Sequence, residues 1–169
     1  MMDGKEKKRR KRPVDILSML RYGTLVVLVI YVSLLIRNTG DENVPFETVA
    51  QAVEKAADAG NMKQAGSQEL KRLYGLNEKD YDGVLLYYSQ ATMNVDEIFL
   101  VRAKTKTDAR AVMDAAILRR DVQIQNFEGY APDQVKLLKS SVVKLKGHYV
   151  LFVVSRDVGK YEKAFDKVL

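Results

Sequence analysis

The sequence predicts an α+β domain behind an N-terminal apolar helix, with an antiparallel sheet of about four strands and helices packed on a face. Three observations carry this. Short strand-like runs at residues 84–88, 97–103, 142–145 and 149–154 are separated by segments of helical periodicity, and a turn signal, Gly147-His148, joins the last two. Apolar residues recur at i, i+3, i+4 and i+7 after Pro45, Thr105 and Ser155. An apolar run from Ile16 to Ile36 follows six consecutive basic residues, Lys7 to Arg12.

That run is 21 residues long. As a helix it reaches about 31 Å, which matches a hydrocarbon core of about 30 Å, so the sequence predicts one transmembrane crossing over residues 16–36. Arg21 interrupts it and is expected to lie near the headgroups. The basic leader, residues 1–15, predicts a cytosolic N-terminus and an extracytoplasmic C-terminal domain at the cell membrane. No small-x-small cleavage site follows Ile36, which favours an anchor over a signal peptide. The organisation expected is therefore leader 1–15, span 16–36, linker 37–44 and domain 45–169, with the lipid bilayer as partner through Ile16 to Ile36.

Charge excludes one class of partner. Of 28 basic and 22 acidic residues, nine and three fall in residues 1–37, leaving 19 of each in the remainder. A neutral domain has no field to steer a polyanion, so nucleic acid is not expected. There is no cysteine, hence no disulfide, thiol nucleophile or lipidation site.

In chain order, Pro45 opens an amphipathic helix to about Ala59 with Phe46, Val49, Ala50 and Val53 on one stripe, read as packing on the sheet. Residues 60–66 break the chain. Ser67 caps a short helix stopped by Gly75, and Asp82-Gly83 turns into a buried strand. The next strand begins at Glu97. Thr105 or Thr107 caps the longest helix, with Val112, Met113, Ala116, Ile117 and Ile124 inward and Arg119, Arg120 and Asp121 outward. Pro132 opens a helical turn, and the closing helix carries Val158, Tyr161, Phe165 and Val168 on one stripe.

Chemistry is sparse. His148, the lone histidine, falls at a hairpin tip without an orienting partner, and with no cysteine the usual zinc sites cannot be assembled. No nucleophile elbow, P-loop or dinucleotide fingerprint occurs, so no cofactor, metal or catalytic residue is assigned. Glu78 to Gly83 resembles the first half of a calcium loop, but the twelfth position is Ser89, and an acidic turn is the preferred reading.

The segments Met93-Asn94-Val95-Asp96-Glu97-Ile98 and Phe127-Glu128-Gly129-Tyr130-Ala131-Pro132, with the hairpin around Gly147, resemble the bacterial family catalogued as domain of unknown function 4358. The resemblance implies a small, membrane-anchored extracytoplasmic domain of the cell envelope, with no established activity and no catalytic residues to carry over. The expected function is a non-catalytic binding or accessory module with a membrane or envelope protein partner. Its candidate surface is Met93, Asn94, Asp96, Glu97, Phe127, Glu128 and Tyr130, because loop residues carry recognition more often than strand residues. The alternative is a weak carboxylate-dependent hydrolase or acyl-transfer enzyme acting on an envelope polymer, which requires Glu128 to meet Asp96 or Glu97 in a cleft.

Overall fold

A computed structural model describes residues 16–39, 44–57 and 62–169. The basic leader, the middle of the expected linker and the chain break before Met62 lie outside the described residues. The chain divides into two compact units, Met1–Asn38 and Thr39–Leu169.

In the first unit, α1 is a helix over Ile16–Thr39. It covers the expected transmembrane span and corrects that expectation: among the described residues, no helix is long and apolar enough to cross a membrane. Arg21 interrupts the apolar run. Beyond it the charge-free run ends at Ile36, before Arg37, and at about 1.5 Å per residue reaches roughly 22 Å against the ~30 Å required. The expectation of a single transmembrane crossing over residues 16–36 is accordingly not kept.

The second unit is built on a five-stranded antiparallel sheet: β1 (Met62–Gln64), β2 (Gly83–Ser89), β3 (Glu97–Arg102), β4 (Val142–Lys146) and β5 (Tyr149–Val154), in the spatial order β1-β2-β3-β5-β4. The sheet is one strand wider than expected. β1, Met-Lys-Gln, has no strand periodicity of its own and pairs because β2 offers a free edge, Lys63 opposite Tyr88. β3 and β5 are central and almost wholly buried.

Alternation along the strands places successive side chains on opposite faces. Leu86, Phe99, Val101, Val150, Phe152 and Val154 face one way, against α3 (Ser67–Tyr74), α4 (Lys106–Phe127) and α5 (Pro132–Lys139). Leu85, Ile98, Leu100, Tyr149, Leu151 and Val153 face the other, against α2 (Phe46–Ala56) and α6 (Val158–Val168). Helices therefore cover both faces rather than one. The double cover is what the continuous apolar runs of β3 and β5 require, since a sheet with one solvated face alternates apolar with polar.

The helix ends follow local chemistry. Thr105 Oγ1 accepts from the Asp108 N–H at 3.1 Å and caps α4. Gly75, at φ 72°, ends α3 in the left-handed conformation and donates to the Lys71 carbonyl. The cap of α3 is Gly66 rather than Ser67, and Glu69 accepts the Gly66 N–H at 3.2 Å. The ring of Phe46 fills the space that a Cβ on Gly83 would take, so α2 is seated on the start of β2. Gly83→Ala is expected to displace that ring and cost about 1 to 3 kcal/mol in urea unfolding, by overpacking; an unchanged midpoint would show that α2 docks without it.

Candidate functional site

Strand alternation carries Glu97, the first residue of β3, to the same face as Phe99 and Val101, under α4. It is 1% exposed. One helical turn apart on α4, Arg119 and Gln123 reach it together, as i, i+4 neighbours must. Arg119 Nη2 donates to Glu97 Oε2 at 3.0 Å and its Nε to Oε1 at 3.4 Å; Gln123 Nε2 donates to Oε2 at 3.0 Å. The fourth donor is Tyr74, the last residue of α3, whose hydroxyl meets Oε1 at 2.5 Å. Its ring stacks on Phe99 with centroids 4.0 Å apart.

Each carboxylate oxygen thus accepts two hydrogen bonds, which uses the capacity of an ionised carboxylate. Burial, and then the Glu97 charge beside it, hold the Tyr74 hydroxyl well above its ordinary value, so it stays a donor. A carboxylate so engaged is spent as a nucleophile or base; what it does is tie α3, β3 and α4 together.

Residues just before Glu97 serve a different space. At the end of the sheet where β3 begins and β5 finishes, a cleft of about 940 Å³ opens between the β2–β3 loop, α5 and the start of α6. Asn94 and Asp96 line one wall, Asp133, Gln134 and Lys136 a second, and Arg156, Asp157 and Lys160 a third. Glu97 does not line it. The loop wall is pre-set: Asn94 Oδ1 accepts from the Asp96 N–H at 3.0 Å, the Ser89 N–H bonds the Asp96 carbonyl at 2.9 Å, and the Val95 N–H donates to Gln134 Oε1 at 3.2 Å.

The residues singled out from the sequence therefore separate. Asn94 and Asp96 stand in the cleft, and Met93 is 56% exposed beside them in sequence. Glu97 leaves the surface for the interior. Phe127 is half-buried against the core and stacks with the exposed Tyr130, centroids 5.6 Å apart, around Gly129 at φ 91°. Glu128 is exposed. Arg119, expected to point outward, turns to Glu97 because the ion pair outweighs solvation of its head, while Arg120 and Asp121 pair on the surface at 2.9 Å. In the turn Glu78–Asp80, the Glu78 carboxylate accepts from the Ser67 hydroxyl, and Lys104 Nζ donates to the Lys79 carbonyl at 3.0 Å. Among the described residues no group of three or more His, Asp or Glu stands where it could hold a metal ion.

Tyr74, Arg119, Gln123, Gln134, Arg156 and Lys160 were missed from the sequence. One signal was available: Val112, Ala116, Arg119 and Gln123 continue a single stripe at helical spacing, so two polar residues fall where the core pattern calls for apolar ones.

The profile of a family described as domain of unknown function (DUF4358) matches residues 55–155, more than half of the chain. The chain belongs to this family. No curated protein and no solved structure matches it. The matched stretch holds all five strands with α3, α4 and α5, and leaves out α1, nearly all of α2, and α6. The family region thus contains the whole Glu97 cluster and two walls of the cleft, with Lys160 and Arg156 just beyond it.

Arg119→Met leaves Glu97 buried without its counter-charge and is expected to cost about 3 kcal/mol in urea unfolding. The Glu97→Gln/Arg119→Met double variant is expected to lose less than the two single losses together, by about 1 to 3 kcal/mol; strictly additive losses would show that the two groups act independently. The raised Tyr74 value also sets a pH window. Above about pH 10 the unfolded chain gives up the phenolic proton while the folded chain keeps it, so the unfolded state binds fewer protons and stability falls with pH. Tyr74→Phe is expected to flatten that decline between pH 10 and 11, measured by thermal unfolding.

Proposed function

We propose that this domain is a non-catalytic binding module, an accessory of the cell envelope, that holds a segment of a partner protein in the cleft between the β2–β3 loop, α5 and α6. The envelope setting rests on what membership of the family implies. One observation supports the binding reading above others: three acids, Asp96, Asp133 and Asp157, line the cleft together with three bases, Lys136, Arg156 and Lys160. A polyanion is repelled by the acids and an uncharged glycan leaves the bases unanswered, whereas a polypeptide segment carrying both signs answers each. Such mixed charge confers partner choice and register more than raw affinity. The loop wall is hydrogen-bonded before any ligand arrives, so little ordering entropy is lost on binding.

The test places a photo-crosslinking amino acid at Asn94 or Lys160 of the full chain in its native cells, with Lys106, at the opposite end of the sheet, as the control. A single discrete protein adduct from both cleft positions, absent from Lys106 and abolished by Arg156→Glu, is expected. Equal adducts from Lys106, or none from either cleft position, would refute the cleft as the binding site.

A further inference from the structure

β4 is the last strand of the sheet, and among the described residues no strand pairs with its outer side. Which of its backbone groups face outward follows from the hairpin. Gly147 has φ 54° and no non-glycine described residue has positive φ, so Gly147-His148 forms a type II′ turn, closed by Lys146 opposite Tyr149 as a hydrogen-bonded pair. Pairing then alternates. Lys144 opposite Leu151 and Val142 opposite Val153 bond to β5, while Val143 and Leu145 turn their N–H and C=O groups to the open side. Among the described residues no turn, loop or cap bond reaches those four groups.

Sheets blunt such edges with a lysine standing over the strand. Here the mid-strand lysine is withdrawn from that duty. Lys144 Nζ lies 2.8 Å from Glu162 and 2.6 Å from Asp166 on α6, and both bonds hold it in its charged form. The edge keeps an unpaired ladder whose guard is occupied elsewhere.

We propose that β4 pairs antiparallel with β4 of a second copy of this chain, about a two-fold axis at Lys144, joining two sheets into one of ten strands. The register is self-complementary: Val143 of one copy meets Leu145 of the other and the reverse, so all four outward groups of each strand are satisfied by the same patch, as a two-fold interface requires. Charge fits this register. The two lysines that meet at the axis are each neutralised by two carboxylates, and each such group carries one surplus negative charge. Lys146 of the second copy falls opposite Val142, two residues from Lys144 on the same face, where it answers that surplus.

The absence of cysteine makes the test clean. In this register a cysteine replacing Lys144 stands directly across from its own copy, within disulfide reach. One replacing Lys146 stands four residues from its copy, roughly 13 Å away, beyond the ~7 Å limit on Cα separation. Full-length Lys144→Cys is therefore expected to form a disulfide dimer at least about tenfold faster than Lys146→Cys on mild oxidation. Leu145→Pro removes an outward N–H that the β4–β5 ladder does not use; added to Lys144→Cys, it is expected to abolish the dimer while the monomer stays folded, with a lowered thermal midpoint because the Leu145 side chain packs against the core. Val143→Pro is the second such variant, should the first unfold. A mixture of Val142→Cys with Lys146→Cys places cysteines at positions that lie opposite in this register and leaves Lys144 with its carboxylates. A cross-link absent both from Lys144→Cys and from that mixture, equal rates for Lys144→Cys and Lys146→Cys alone, or a cross-link that survives a folded proline variant would each overturn the proposal.

Discussion

The domain depends on a charge taken out of water. Glu97 sits at the start of a central strand with its side chain under a helix, a position that a carboxylate tolerates only with its counter-charge and its hydrogen bonds supplied. Tyr74, Arg119 and Gln123 supply them from two helices. Such a cluster contributes less to net stability than a well-packed apolar substitute would, but its geometry is exacting: α3, β3 and α4 satisfy it only in one mutual register. It fixes how the helical layer sits on the sheet, where apolar packing alone tolerates slippage.

That constraint also shapes the cleft. With Glu97 turned inward, the residues before it are held where the strand enters the sheet, and Asp96 and Asn94 are left at the rim. Gln134 then locks the same loop to α5 through the Val95 N–H. The cleft wall and the buried cluster are consecutive residues of one segment serving two ends: the interior residue sets the position, and the rim residues face the ligand. Glu97 is consumed by structure, and Glu128, exposed just past the end of α4, does not line the cleft with Asp96.

The two faces of the sheet are tied by different means. On the α4 face the ties are apolar contact and the buried carboxylate. On the α2 and α6 face apolar contact is joined by polar ties: the Tyr87 hydroxyl to Glu54 at 3.0 Å, the hydroxyl of the buried Tyr149 to the Val44 carbonyl at 2.7 Å, and the partly exposed Lys144 to Glu162 and Asp166. Exposed ion pairs of this kind contribute little energy. Their consequence is directional, because they decide where a lysine at the sheet edge spends its charge.

By itself the sequence determined the elements whose signals are local. Thr105, Gly75 and Gly147 act through the dihedral angles and hydrogen bonds of their own neighbours, so the cap of α4, the stop of α3 and the last hairpin were legible, as were the stripes of α2 and α6. The family too was legible, from three short segments. The tertiary structure alone decided what depends on distant partners. β1 is a strand only because β2 has a free edge, the helices take both faces because β3 and β5 are apolar on both, and Arg119 points inward because Glu97 waits there. The apolar run at the N-terminus shows the converse: its length counted as one stretch predicted a crossing, and the charge at Arg21 divides it. Asn94 and Asp96 were read from the sequence as surface, but that they share a cleft with Gln134, Arg156 and Lys160 is a property of the fold, because residues 38 to 66 positions apart meet only when the sheet brings their ends together.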